Sequence, residues 1–378
     1  MIYDRREIGG WASAIALGVA GGTSLLALPV LISALTVSHE PAQVVASFAP
    51  IQSWSISVGC LASVVIGRRF PARMLSLFAL AGLICADMVT SVAADFGALL
   101  LCRAVAGVFG GLAMSLSAAT LTRLPNPERG FGLSVLAQLL FAMVSSLEIP
   151  YASARFGLNG AFLSLAVVDL AALCVVATTM PRMPAIRTQE SVRYGAASNW
   201  AAPVAVLLAI VCFYVGIGAC WSSVGRVGTA AGLTAEETGR YLSLAAIGGV
   251  LGSVAPGFLM ARAGRAVAMV VPVAALLAAM TIMAAFLSRE MFLLATTLYY
   301  FGWYGFVPCL FGLLGVVDRD GRPSLASMGV AGAGVGIGSA LAARGVDLLP
   351  AILIGFAATG IAVLLGLSIG AVSAVRSH

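Results

Sequence analysis

The chain has 378 residues, of which 61% are apolar and 10% are charged, and its mean hydropathy is +1.04. These values lie far outside the range of soluble globular domains, so the sequence predicts an integral membrane protein. The formal net charge of +6 comes without a basic groove interleaved with aromatic residues, which argues against a nucleic-acid partner.

Apolar runs long enough to cross a bilayer repeat along the whole chain, with short polar breaks between them. A crossing helix needs about 20 residues, and continuous runs without alternation favour helices over barrel strands. We therefore predict an all-α integral membrane protein. Twelve spans are predicted, with the approximate limits 10–35, 45–66, 72–93, 96–120, 130–152, 159–180, 200–222, 239–261, 267–287, 290–315, 325–343 and 348–373.

The arginines predict the orientation, because cytoplasmic loops retain basic residues. With the amino terminus inside, 15 of the 21 basic residues fall in inner segments and 5 in outer segments, while Arg103 lies within a span. Both termini of this multi-pass protein are therefore expected on the cytoplasmic side of the cell's cytoplasmic (inner) membrane. Arg5 and Arg6 also fit the start of a signal peptide, but the apolar run after them is longer than a signal core, so we expect the first helix to be retained.

Residues used by enzymes and metal sites are scarce. The seven cysteines all lie in predicted spans and form no CxxC pair, and the two histidines, His39 and His378, lie outside the spans. The sequence therefore predicts no metal, no cofactor and no enzyme activity. An intramembrane enzyme is the weakest alternative, because no nucleophile is accompanied by a nearby base.

Three ionisable side chains on consecutive spans are predicted to share one layer of the membrane. In the stretch LLLCRAVAGVFGG, Arg103 lies about 10 Å inward from the outer surface at ~1.5 Å per residue. Asp87 on the third span and Glu148 on the fifth reach a similar depth. One guanidinium cannot neutralise two carboxylates, so we expect one acid, Glu148 or Asp87, to take up a proton and release Arg103.

Two structural alternatives remain open for this layer. The charges can form a permanent ion pair, or Arg103 can extend its side chain outward to the membrane surface. Asp169, an isolated acid near the middle of the sixth span, is a candidate either for proton coupling or for a structural hydrogen bond while protonated.

Polar and aromatic side chains are concentrated on three of the predicted spans. The first span carries no acid but contains Thr23, and the seventh carries Tyr214 and Trp221. The tenth contains LYYFGWYGF, within which Tyr300 and Trp303 lie deepest. Aromatic walls together with the arginine of the fourth span would suit a small amphipathic or aromatic organic anion. For Trp221 an interfacial anchor is the favoured interpretation, whereas Tyr300 and Trp303 are expected to face the cavity.

The twelve spans divide into two groups of six at a polar segment, and the groups share a weak internal repeat. AQVVASFAPIQSWSISVGCLASVVIGRRFPARM aligns without a gap with AEETGRYLSLAAIGGVLGSVAPGFLMARAGRAV, so that Gly59 matches Gly252 and Arg69 matches Arg262. The predicted domains are an amino-terminal bundle, a cytoplasmic linker and a carboxy-terminal bundle, at 1–181, 182–199 and 200–378.

Two parallel six-helix halves, each with a basic turn after its second helix, resemble the major facilitator superfamily over the whole chain. In the second half, Gly257-x-x-x-Ala261-Arg262-x-Gly264-Arg265 is similar to the family signature G-x-x-x-D-R-x-G-R, with Ala261 in place of the acid. In the first half only Arg69 clearly matches. The resemblance implies that Arg69, Arg262, Gly264 and Arg265 belong to a cytoplasmic gate.

The fourth span carries a second resemblance. Arg103-x-x-x-Gly107, followed by Gly110 and Gly111, is similar to the fourth-helix signature of proton-driven members, and these glycines allow close approach of another helix. The resemblance, nearest to the drug and small-solute efflux branch, implies two pseudo-symmetric halves that rock about a central site lined by helices 1, 4, 7 and 10. It therefore implies that Thr23, Tyr214, Trp221, Tyr300 and Trp303, together with Arg103, contact the substrate. It also favours Glu148 as the proton carrier, because helix 5 borders the cavity in this family.

These observations predict a secondary active transporter of a small organic solute that works by alternating access, with proton-coupled export as the expected direction. We expect a monomer embedded in lipid, with a small-molecule substrate and protons as its partners. Uptake of a small organic anion, aromatic or not, is one alternative. A membrane sensor or scaffold that keeps the fold without transport is another.

Overall fold

The structure, a computed structural model, describes residues 5–38, 41–67, 69–93, 95–124, 127–181, 201–285, 288–317 and 322–344. These segments form ten helices: α1 (Arg5–Leu26), α2 (Leu28–Val37), α3 (Ala42–Ile66), α4 (Ala72–Ser91), α5 (Phe96–Leu121), α6 (Pro127–Thr179), α7 (Ala201–Ala230), α8 (Ala235–Ala285), α9 (Arg289–Val317) and α10 (Arg322–Ala343). Within this described part, nine helices are long and apolar enough to cross a membrane. The predicted all-α membrane fold is confirmed.

The predicted spans and the helices correspond with two differences. The first predicted span is broken at Ala27 into α1 and α2, because Pro29 in the first turn of α2 has no N–H to continue the helix. The fifth and sixth predicted spans correspond to the two arms of α6 on either side of the non-helical Gly157, and the eighth and ninth to the two arms of α8 on either side of Gly264. The linker at 182–199 and the twelfth span at 348–373 lie outside the described residues.

Two glycines reverse the chain inside α6 and α8. Gly157 has φ 65° and ψ −157°, and Gly264 has φ 84° and ψ 171°. A residue with a Cβ is strained in this region of the backbone map, whereas glycine is not. The positive φ of Gly264 gives a physical reason for the glycine in the basic-turn motif that begins at Gly257.

The described residues divide into two compact units. Unit 1 takes its residues from Met1–Glu190 together with Thr234–Ser243, the start of α8. Unit 2 takes its residues from Ser191–Leu233 and Leu244–His378. The predicted boundary at 182–199 stays a prediction, since those residues are not described.

Close helix packing in each unit depends on glycines, as the sequence predicts. In unit 1, a Cβ on Gly59 would collide with the carbonyl of Val108 on α5. In unit 2, the repeat-related Gly252 would collide in the same way with the carbonyl of Phe301 on α9. The glycine-rich α10 likewise packs against α7, where a Cβ on Gly338 would meet the carbonyl of Val215. The internal repeat therefore places equivalent glycines at equivalent helix contacts.

Candidate functional site

A buried arginine and its partners form a polar group inside unit 1. The side chain of Arg103 is fully buried, and its Nη2 lies 2.5 Å from Oδ1 of Asp87, whose side chain is also fully buried. Thr90 accepts hydrogen bonds from Arg103 Nε at 3.1 Å and Nη2 at 2.6 Å. The guanidinium carbon lies 4.7 Å from the ring centroid of Phe162. Arg103 therefore does not extend toward the membrane surface, and its donors are directed at protein acceptors.

The local sequence explains this geometry. Asp87 and Thr90 are three residues apart on α4, so they lie on one face of that helix, and α4 packs against both α5 and α6. The hydroxyl of Thr90 donates to the carbonyl of Ala86 at 2.6 Å, which turns its lone pairs toward Arg103. Thr90 and Phe162 were not predicted as site residues, although Thr90 follows Asp87 at helical spacing.

Asp169 is the second acid of this group. Its side chain is fully buried, its carboxyl is within hydrogen-bonding reach of the Asp87 carboxyl, and it lies close enough to Arg103 to interact with its charge. Neither oxygen of Asp169 has a hydrogen-bond donor among the described residues, and Oδ2 of Asp87 also lacks one. Two carboxyl groups thus face each other beside one guanidinium. We call Asp87, Arg103 and Asp169 the buried trio.

Glu148 is not part of this group, contrary to the prediction. Its side chain is exposed on unit 1 and accepts a hydrogen bond from the hydroxyl of Ser164 at 2.5 Å. Counting residues from the membrane surface predicts the depth of Glu148 in the membrane. It does not predict the direction around the helix axis in which the Glu148 side chain points. The preceding Ser145 and Ser146 and the following Ile149 are the buried positions.

The break in the first span lies next to the buried trio. Nη1 of Arg103 donates to the hydroxyl of Ser24 at 3.5 Å, and Ser24 is in the last turn of α1 before Ala27. The neighbouring Thr23, a predicted substrate contact, is buried and donates its hydroxyl to the carbonyl of Ala20 at 2.9 Å. The trio is thereby connected to the end of a helix rather than to its regular middle.

Unit 2 contains a separate group of aromatic side chains on α7 and α9. This aromatic cluster consists of Tyr214, Trp221, Tyr299, Tyr300, Trp303 and Tyr304. Trp221 and Tyr299 are stacked at 7° with centroids 6.2 Å apart, and Tyr300 meets the edge of Trp221 at 5.4 Å. The four predicted substrate contacts of unit 2 are thus brought together. Trp221 is only 2% exposed, so the interfacial-anchor interpretation of it is wrong.

The predicted gating residues lie at the turns after α3 and within α8. Arg69, Arg262, Gly264 and Arg265 are exposed, and the described residues provide no ion pair for these three arginines. Arg262 instead lies over the ring of Phe258, 4.2 Å from its centroid. Their gating role stays a prediction.

Known proteins resemble the chain in structure rather than in sequence. No protein-family model and no curated protein matches it. The nucleoside transporter NupG matches with a TM-score of 0.68 at 11% identity, over 97% of this chain and 98% of that one. The human organic anion transporter MFSD10 (TETRAN) matches with a TM-score of 0.64 at 15% identity, over 96% and 98%. These neighbours are transporters and not enzymes. The chain is a multi-pass membrane protein with the major facilitator superfamily fold.

Proposed function

We propose that this protein is a secondary active transporter that exports a small organic solute by alternating access, in exchange for protons bound at the buried trio. The observation that carries the proposal is the pairing of one fully buried arginine with two fully buried acids. Ionisable groups inside a membrane are expensive and mark proton or substrate pathways. The similarity in fold to a nucleoside transporter and an organic anion transporter supports transport as the activity.

The charge balance of the trio favours one bound proton. With both acids ionised, the three side chains carry a net negative charge in an environment with little water, and the two carboxylates repel each other. A single proton between Asp87 and Asp169 makes the trio neutral. It also supplies a donor to carboxyl oxygens that have none among the described residues. Asp169 is the more suitable carrier, because Asp87 already accepts a hydrogen bond from Arg103.

The break between α1 and α2 gives the proton a route to conformational change. When the proton leaves, Asp169 becomes a second negative partner for Arg103, and the contact between Arg103 and Ser24 must compete with it. Ser24 lies just before the break at Ala27, where Pro29 cannot donate a helical hydrogen bond. We propose that loading and unloading the trio shifts this end of α1, which also carries Thr23.

The proposed substrate contacts are Thr23 in unit 1 and Tyr214, Trp221, Tyr300 and Trp303 in unit 2. Glu148 is left outside the proton site because it is exposed and bonded to Ser164. Uptake of an organic anion is the second candidate, favoured by the fold of MFSD10. It would need a free cationic group, whereas the described partners of Arg103 already occupy its Nε and Nη2 donors.

Transport by purified protein in proteoliposomes tests the proposal. Labelled nucleosides, organic anions and organic cations are offered with and without a pH gradient. We expect at least one solute to accumulate against its gradient in exchange for protons. Asp169→Asn should abolish this accumulation while keeping solute exchange, because the trio is then fixed in its neutral form.

Glu148→Gln is the matched control, since it also neutralises one intramembrane acid but leaves the trio intact. Its accumulation should equal that of the wild type. Flux that ignores the pH gradient would contradict the proton coupling, as would an Asp169→Asn variant that accumulates solute normally. The absence of flux for every solute would favour the sensor or scaffold.

A further inference from the structure

The hydroxyl groups of the aromatic cluster of unit 2 differ in their hydrogen bonding. The hydroxyl of Tyr299 donates to the carbonyl of Ile217 at 2.9 Å. The indole of Trp303 is within hydrogen-bonding reach of the Tyr214 hydroxyl. The hydroxyl of Tyr300 is buried and has no partner among the described residues. Leaving a buried hydroxyl without a partner costs free energy, so this atom requires an explanation.

The surroundings of Tyr300 are flat, apolar rings. Its own ring lies against the edge of Trp221 at 5.4 Å and is stacked on Tyr304 at 13° with centroids 6.1 Å apart. Aromatic side chains favour offset-stacked and edge-to-face contacts with a further ring. A saturated, puckered ring of the same size cannot make these contacts over its whole face.

The helix segments that carry the cluster lack the four side chains that are charged at neutral pH, and the nearest such residues along the chain are Arg226 on α7 and Glu290 on α9. Between Ala201 and Gly225 on α7, and between Met291 and Val317 on α9, the sequence has no Asp, Glu, Lys or Arg. A charged substituent placed here would lose its hydration without gaining a counter-ion. The part of a ligand that meets the cluster is therefore uncharged, whatever the rest of the molecule carries.

We infer that the aromatic cluster binds an uncharged aromatic or heteroaromatic ring of the transported solute, and that the Tyr300 hydroxyl hydrogen-bonds to a polar atom at the edge of that ring. This inference rests on the proposed transport function and specifies its substrate class. Tyr299 and Tyr300 are adjacent and chemically identical, yet only the Tyr299 hydroxyl has a described protein partner. We therefore assign a structural role to the Tyr299 hydroxyl and a ligand-binding role to the Tyr300 hydroxyl.

Equilibrium binding and thermal unfolding of detergent-purified Tyr300→Phe and Tyr299→Phe variants test the inference. The probes are planar and saturated pairs: uridine with 5,6-dihydrouridine, and benzamide with cyclohexanecarboxamide. In the wild type, the planar member of at least one pair should bind more tightly. Tyr300→Phe should weaken that binding by about 3- to 10-fold, the usual effect of one neutral hydrogen bond, without lowering the unfolding midpoint. Tyr299→Phe should lower the midpoint by removing the hydrogen bond to Ile217, and it should weaken the affinity less than Tyr300→Phe does.

Three results would overturn the inference. Saturated probes could bind as well as planar ones, or no planar probe could bind at all. Tyr300→Phe could lower the unfolding midpoint as much as Tyr299→Phe, which would show that water or the protein satisfies the hydroxyl.

Binding is measured in detergent without a pH gradient, so it is independent of proton coupling. If the protein binds planar rings but transports no solute, the proposed transport function is wrong and the ring site stands. If it exports saturated solutes, the ring site is wrong and the transport function stands.

Discussion

Removing the acids of the buried trio one at a time should have unequal effects on stability. Asp87 is bonded to Arg103, whereas the oxygens of Asp169 have no donor among the described residues. Asp169→Asn replaces a proton-carrying acid by a neutral group of the same shape, so we expect a change in the free energy of unfolding within about 1 kcal/mol. Asp87→Asn removes the bonded counter-ion of a fully buried guanidinium and should be clearly destabilising.

Changing both Asp87 and Asp169 to asparagine shows the full loss of unfolding free energy when Arg103 has no counter-ion. In Asp87→Asn, Asp169 can lose its proton and partly replace the missing charge, because it lies close to Arg103. With both acids changed to asparagine, Arg103 is left buried with no described counter-ion, which costs about 3–5 kcal/mol. At about 2 °C per kcal/mol for a large chain, this lowers the unfolding midpoint by about 6–10 °C.

Thermal unfolding in detergent, followed by tryptophan fluorescence, measures this order. The wild type and Asp169→Asn should have the highest unfolding midpoints, Asp87→Asn should have a lower one, and the double variant the lowest. Glu148→Gln serves as the control for neutralising an acid elsewhere in a span. The reasoning is refuted if Asp169→Asn is as destabilising as the double variant, or if the two single changes add independently, since that would mean the acids do not share one charge balance.

Three further changes test the fold by the same unfolding assay. Gly264→Ala should lower the free energy of unfolding by about 1–3 kcal/mol, because the positive φ of Gly264 strains a residue with a Cβ. Gly257→Ala is the control in an open helical position, and it should be neutral or stabilise the protein by up to about 1 kcal/mol. Equal effects of the two changes would show that backbone strain at Gly264 is not the cause. Gly111→Ala should lower the midpoint, because its Cβ would collide with the carbonyl of Ile56, and an unchanged midpoint would show that α3 and α5 do not pack so closely. Thr234→Ala should cost about 1 kcal/mol by removing a helix cap, and no loss would mean that the cap is not formed.

Composition and span length were enough to predict the helices. The apolar runs define eleven predicted spans that lie in described helices, and the positions of Gly59 and Gly252 in the repeat anticipate equivalent helix contacts. The break at Ala27 was not anticipated, although Pro29 is visible in the sequence, because a proline near a helix start and a proline inside a helix look alike in an apolar run.

Counting residues from the membrane surface located part of the site. Rise per residue places Asp87 and Arg103 at one depth, and the structure brings them into contact. The same count places Glu148 at that depth but leaves the direction around the helix axis undetermined. Asp169 could not be found this way, because its neighbours depend on α4 packing against α6, which is a property of the tertiary fold. Acids can be ranked by depth from a sequence, but their partners cannot.

The central claim is that the buried trio holds a proton, and infrared spectroscopy tests it without a known substrate. Purified protein at neutral pH should show the carbonyl band of a protonated carboxylic acid in a buried environment. That band should disappear in Asp169→Asn and persist in Glu148→Gln. A wild-type spectrum without a protonated carboxyl band at neutral pH, or a band that is lost only in Glu148→Gln, would contradict the account.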